Sequence, residues 1–225
     1  FAATTLATVA ETDPLECAQQ LEKLDAAGFL LAAGSGYDFR HPLMREVADG
    51  LQLESQRAQS HARLAATLEA SNALAASGSA ASARIAHHWQ QAGEWAKAGQ
   101  CNLVAARWAG TRDTRLTIQQ FLLALANLDR AAPDHQVQHL RIAARAGLIR
   151  IAQFTPVPFA DVERAYAEGR AMASESGDIA GAAELMISYG NELLHRRDAE
   201  GSVRLHRDAV RYCMEHGQAA LVQRF

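Results

Sequence analysis

Apolar positions near the start of the chain keep a helical beat. Leu15, Ala18, Leu21, Leu24 and Ala27 recur three residues apart, a spacing that lines one helix face. Thr12-Asp13-Pro14 offers a capping residue followed by a first-turn proline, and Gly28 stops the run. The beat then changes to short β-like arms in "FLLAAGSGYDFRH", set around Gly34-Ser35-Gly36 and predicting a hairpin. In "YDFRHPLMREVADGL" the spelling turns from strand to helix at a buried-looking histidine, His41. From Pro42 onward the pattern is helical, predicting helices near 42–51, 54–71, 80–92, 95–110, 113–130, 134–152, 158–176, 178–196 and 198–216. Gly78, Ala92-Gly93, Gly110, Pro133, Pro156, Pro158, Gly177-Asp178 and Arg197-Asp198 supply the breaks. The linker-like stretch "SNALAASGSAAS" at 71–82 suggests a division into 1–72 and 73–225.

Within the helical part a triplet recurs. Thr117, Phe121 and Ala124 stand at offsets 0, +4 and +7, as do Val162, Tyr166 and Gly169, and again Ser202, His206 and Ala209. Small–large–small on one face lets a neighbouring helix approach closely while the large side chain fills its groove. Ala105 and Gly190 lie twelve residues before the first and third triplets, matching the small residue on the first helix of a tetratricopeptide (TPR) repeat. Arg150 departs from that pattern in the middle copy. The predicted fold is all-α: a TPR-like α-α superhelix, or solenoid, preceded by a small winged-helix-like segment with one β-hairpin.

Composition narrows the function class. Aromatics are 6% of the chain, and alanine-rich faces suit close helix packing. A net charge of -3 over 225 residues gives no electrostatic reason for a nucleic-acid or membrane partner. Cys17, Cys101 and Cys213 lack metal-ligand spacing and read as reduced thiols of a cytoplasmic protein. No apolar run reaches the roughly 18 residues that cross a bilayer. A first residue other than methionine, and a last stretch still spelled as helix, suggest a piece of a longer protein.

Residues 21–70, from "LEKLDAAGFLL" through "YDFRHPLMREV" to "SHARLAATLEA", resemble the segment after the ATPase core of bacterial nucleotide-switch (STAND-type) signalling ATPases. The marks are Phe39-Arg40-His41, Ser60-His61 and Leu64-Ala65 with Leu68-Glu69. "RIAHHWQQAGEWAKAGQ", with His87-His88-Trp89 and Ala92-Gly93-Glu94, is similar to the first helical repeat of those proteins. The resemblance implies a parent carrying a class III adenylate or guanylate cyclase or a LuxR-type output domain. It also implies that His41, and with it Arg40, touches the phosphate of a nucleotide bound to the parent. The residues alone leave open a second role, in which His41 caps the helix begun by Pro42 and packs on the hairpin. The phosphate-binding loop Gly-x-x-x-x-Gly-Lys-Ser/Thr is not in this sequence, so the chain is not expected to hydrolyse ATP alone.

Other candidates are weaker. Trp89, Trp95 and Trp108 read as core, Trp108 because it lies four after Val104. His135 and His139 share a helix face but lack a third ligand, and the adjacent His87 and His88 should point apart, so no metal and no cofactor are expected. Arg204, Arg207 and Arg211 line one face, a docking strip for an acidic partner or a solvated surface. No catalytic set emerges. The chain therefore reads as a non-catalytic regulatory fragment. Its partners would be a protein, a peptide or a small inducer on the solenoid surface, and the other domains of its parent. A winged-helix DNA-binding regulator is the alternative, although "PLECAQQLEKLDAAG" sets Glu16, Glu22 and Asp25 against Lys23. A helical enzyme with an unrecognised site would require a deep polar pocket with converging titratable groups.

Overall fold

The computed structural model describes residues 1–34, 36–71 and 78–223. Its described residues form twelve helices and one two-stranded antiparallel hairpin, an all-α protein. The chain divides into two compact units: Phe1–Ala76 with His87–Glu94, and Ser77–Ala86 with Trp95–Phe225.

The first unit begins with α1 (Ala3–Ala10), which the hydrophobic pattern does not signal. Then comes α2 (Pro14–Ala26), where Asp13 Oδ1 accepts from the Leu15 and Glu16 amides at 2.9 and 3.1 Å. The helix is as expected, but its buried face is not. Cys17 and Leu21 are buried, one turn apart, whereas Leu15 is 69% exposed. Gly28, at φ +81°, ends the helix and leads into β1 (Leu30–Ala33). β1 pairs with β2 (Gly36–Phe39) from Leu30↔Phe39 to Ala33↔Gly36. The connection is thus Gly34, at φ +58°, and Ser35, which lies outside the described residues. Gly36 is needed at the other edge, because a Cβ there would sit 2.2 Å from the Phe1 carbonyl. Ala7, Cys17, Leu21 and Leu30 form the small core, with Leu6, Tyr37 and Phe39 against it. α3 (Pro42–Leu51) and α4 (Glu54–Ser71) complete the first run, and α4 is tied to α1 through Arg63 and Glu11 at 2.9 Å.

Residues 72–77 of the expected linker lie outside the described residues, and Gly78–Ser82 are helical. They open α5 (Gly78–Gln91), whose last residues belong to the first unit. There Trp89 is buried and donates to Glu69 Oε1 of α4 at 2.8 Å.

The second unit continues with α6 (Trp95–Ala109), α7 (Thr114–Leu128), α8 (His135–Ala152), α9 (Phe159–Ser176), α10 (Ile179–His195), α11 (Ala199–Glu215) and the short α12 (Ala219–Val222). Four starts repeat one device. Asp113, Asp134, Asp178 and Asp198 each accept from the amide three residues on, at 2.7–2.9 Å. Each helix from α6 packs on the next, and α8 also packs on α10. With α7, α9 and α10 against it, α8 buries Ala144 through Ile149 without a break.

The triplets sit inside. All nine positions are buried or half-buried. A Cβ on Gly147 would lie 2.3 Å from the Phe121 ring, and one on Gly190 would lie 2.6 Å from the His206 ring. Phe121 and His206 therefore fill space that a glycine on a neighbouring helix leaves free, whereas Tyr166 stacks on Tyr189 at 4.3 Å. Arg150 does not enter this seam; it is exposed and pairs with Glu184 at 2.9 Å. Trp108, expected in the core, is 48% exposed, and the Arg112 guanidinium lies over its ring at 5.7 Å. Between α6 and α7, Asn102 donates to Gln120 and accepts from Asn127, at 2.8 and 2.9 Å, all three being buried.

Candidate functional site

α3 is the least embedded long helix of the first unit. Leu43, Met44, Val47, Ala48 and Leu51 share one face, yet no residue of α3 is buried, and Leu51 is 81% exposed. Together with Leu6, Leu21, Leu24, Phe29, Leu30 and Phe39 they line a groove of about 650 Å3 whose walls are apolar throughout. α3 thus turns its leucines outward, whereas Leu21 and Leu30 stay in the core.

Arg40 and His41 sit at the start of α3, both exposed. His41 is not the buried residue its neighbourhood suggested. It occupies the N-cap with extended backbone, but its side chain makes no capping hydrogen bond; its carbonyl accepts from the Met44 amide at 3.0 Å. The Pro42 start fixes the helix without the imidazole.

On α4, His61 stands in a second hollow of about 280 Å3 that Asp49, Arg57 and Ser60 also line. Its Nδ1 lies 2.9 Å from His88 Nδ1, so one ring donates while the other offers a lone pair. The His87 ring is 6.3 Å from the His61 ring, and the His88 ring 5.1 Å. Adjacent residues were expected to diverge; instead all three imidazoles cluster. Burial first, and His87 second, push the His61 pKa below the ordinary histidine value; Asp49 opposes this and Arg57 adds to it.

In the second unit His139 is exposed and donates to Asp178 Oδ2 at 2.7 Å, so it serves the α10 cap. No group of three histidine, cysteine or acidic side chains among the described residues is placed to hold a metal ion. Arg204, Arg207 and Arg211 lie exposed on α11, and Arg211 is paired with Asp208 one turn back. The tertiary fold does gather a serine, a histidine and an amide: Ser202 Oγ lies 3.4 Å from His206 Nδ1, and Asn191 Oδ1 lies 3.2 Å from Nε2. His206 Nδ1 is also 2.7 Å from the Ser202 carbonyl, which only an N–H can satisfy. The nitrogen facing Ser202 thus carries the proton and has no lone pair to activate the buried hydroxyl. This arrangement fastens α11 to α10 and supplies no nucleophile.

One polar residue passed unnoticed in the sequence. Glu192 of α10 is 0% exposed; Oε1 accepts from Arg196 Nε at 2.6 Å, and no described residue donates to Oε2. Its place seven residues after buried Leu185 was the available signal, since that spacing returns to the same helix face. It is one of the residues around a hollow of about 600 Å3 that the segment 152–157, His195 and Arg196 also line. No helix among the described residues is long and apolar enough to cross a membrane. No protein-family model matches the chain, and comparison with curated proteins and with solved structures found no match.

Proposed function

We propose that the chain is a non-catalytic regulatory part of a larger bacterial signalling ATPase, working by contact rather than by chemistry. In this reading residues 1–72 form the winged-helix-like end of a nucleotide switch, and the helices after them a TPR-like superhelix. A protein, peptide or small inducer on that superhelix would bias the switch by binding one state of the parent better than the other. The observation carrying the reading is the wholly apolar groove along α3. Exposed leucines at helical spacing favour burial against a partner surface. The sequence marks around Phe39-Arg40-His41 and Ser60-His61 point to the same kind of parent. Glycine-to-ring contacts at Gly147 and Gly190 support the repeat reading of the second unit.

Two measurements test it. The purified chain should bind no ATP productively, and turnover above background would overturn the non-catalytic reading. In the full-length parent, Val47→Glu places a charge in the groove without touching a core residue, and it should change nucleotide-dependent output while leaving the fold intact. Unchanged output with that variant would remove the groove from the account.

A further inference from the structure

Glu192 raises a question that a scaffold role leaves unanswered. A buried carboxylate oxygen without a donor is costly, and such groups in folded proteins call for an explanation. Oε1 is held by Arg196, whose Nη2 also reaches the Val157 carbonyl at 3.3 Å and whose guanidinium lies 4.4 Å from the Phe159 ring. Oε2 is the unmatched acceptor. The hollow above it takes its rim from two helix ends, since Ala152 is the last residue of α8 and His195 the last of α10. Each helix C-terminus acts as about half a negative charge, and the start of α9 at Phe159, just past Val157, offsets part of the two. Glu192 Oε1 and Arg196 are paired, so the demand left in the hollow is for a donor to Oε2. Phe154, Pro156 and Val157 give it apolar walls. Its volume of about 600 Å3 falls within the range of small-molecule sites.

We propose that this hollow binds a small organic ammonium ion, whose N–H groups supply the donor that Glu192 Oε2 lacks and whose carbon body lies against Phe154, Pro156 and Val157. Because Glu192 is enclosed, the Arg196 side chain, 37% exposed, gives way slightly as the head group enters. The proposal goes beyond the regulatory reading and does not depend on it: amine binding is measured on this chain alone.

The test is titration calorimetry and amide chemical-shift mapping at pH 8 with n-butylammonium, using n-butanol and butyrate as controls. Butylammonium should shift amides of 152–157 and of 192–196, while butanol and butyrate should not. Nα-acetyl-lysine methylamide is the second arm. A preference for it assigns the ammonium to a protein side chain, and a preference for butylammonium assigns it to a free amine. Glu192→Gln, checked for native circular dichroism, should weaken butylammonium binding tenfold or more, as expected for a lost hydrogen bond to a charged group. Should that variant not fold, Gln153→Lys tethers an ammonium in the wall of the same hollow; it should abolish the response to free amine and raise the melting temperature. Equal responses to amine, alcohol and acid would overturn the site. So would undiminished binding by folded Glu192→Gln, unchanged binding and melting in Gln153→Lys, or no response up to about 50 mM probe, where so small a ligand at ordinary efficiency is already detectable.

Discussion

The two units handle apolar surface in opposite ways. The first centres on four small or medium side chains, Ala7, Cys17, Leu21 and Leu30, and leaves the leucines of α3 facing out. The second leaves Leu122, Phe154 and Leu194 exposed but closes a larger set, among them Leu103, Phe121, Leu128, Ile142, Ile149 and Leu185, behind alanine and glycine seams. Hydrophobic content alone does not separate them, for both contain leucine-rich helices. What separates them is whether a neighbouring helix brings a small residue to the place where the large one points. The second unit has such partners and is stabilised within itself. The first keeps a face available for contact.

The sharpest break between them is Phe121→Ala set against Leu51→Ala. Phe121 fills the space beside Gly147, so its loss should cost about 3–5 kcal/mol in chemical denaturation of the second unit. Leu51, largely in solvent, should change stability by no more than about 0.5 kcal/mol. Equal costs would show that the groove of the first unit is closed in solution and would end the comparison.

Next in size is Asn102→Ala. It leaves Gln120 without its donor and Asn127 without its acceptor inside the α6–α7 seam, at about 2–4 kcal/mol. Hydrogen exchange should show the loss on α6 and α7 before the other helices; uniform loss would argue that the second unit opens all at once. Smaller again are the caps. Asp198→Ala and Asp13→Ala each remove acceptors at a helix start, at about 1 kcal/mol apiece. The same substitution in both units asks whether an equal local loss unravels one helix or a whole unit. The thinly packed first unit should lose protection along all of α2, whereas α11, held by His206 and Asn191, should fray only at its start.

Those caps also explain what was legible from the residues. Asp113, Asp134, Asp178 and Asp198 stand before the helices they start, and Gly28, Gly110 and Gly177 turn through positive φ at the ends, so element bounds fall within a few residues of expectation. α1 was missed because Ala2 offers no capping side chain and "ATTLATVA" carries threonines of modest helix propensity. Spacing identified α2 as a helix but not which side of it is buried, since Leu15 and Cys17 sit on neighbouring faces and only the packing of α1 and β1 decides between them. Trp108 followed helical spacing from Val104 yet points outward, because spacing does not say where a helix's neighbours stop. The candidate sites were harder to read. His61, His87 and His88 are 26 and 27 positions apart in the chain and meet only once α4 and α5 pack together. Glu192 looks like any helix-surface carboxylate until α8 and the 152–157 segment enclose it.

The smallest effect is proton-linked and confined to the first unit. His61 is half-buried, with Asp49 and Arg57 lining the same hollow and the His87 and His88 rings against it, and its folded pKa lies below the ordinary histidine value. Between that folded value and about 6.5, the unfolded chain binds more protons than the folded one. Stability of the first unit is therefore complete above about pH 6.5, falls as pH drops through this window, and stops falling once both states are protonated. The contact of His61 Nδ1 with His88 Nδ1 points the same way, since two imidazolium rings would present hydrogen to hydrogen. His61→Asn should flatten the slope between pH 7 and 5. The Trp89 indole signal, from a ring joined to Glu69 on the same helix as His61, reports it locally. A slope unaltered by His61→Asn, or one that gains stability toward acid, would mean that the cluster titrates elsewhere. In that case the difference between the units would be one of packing alone.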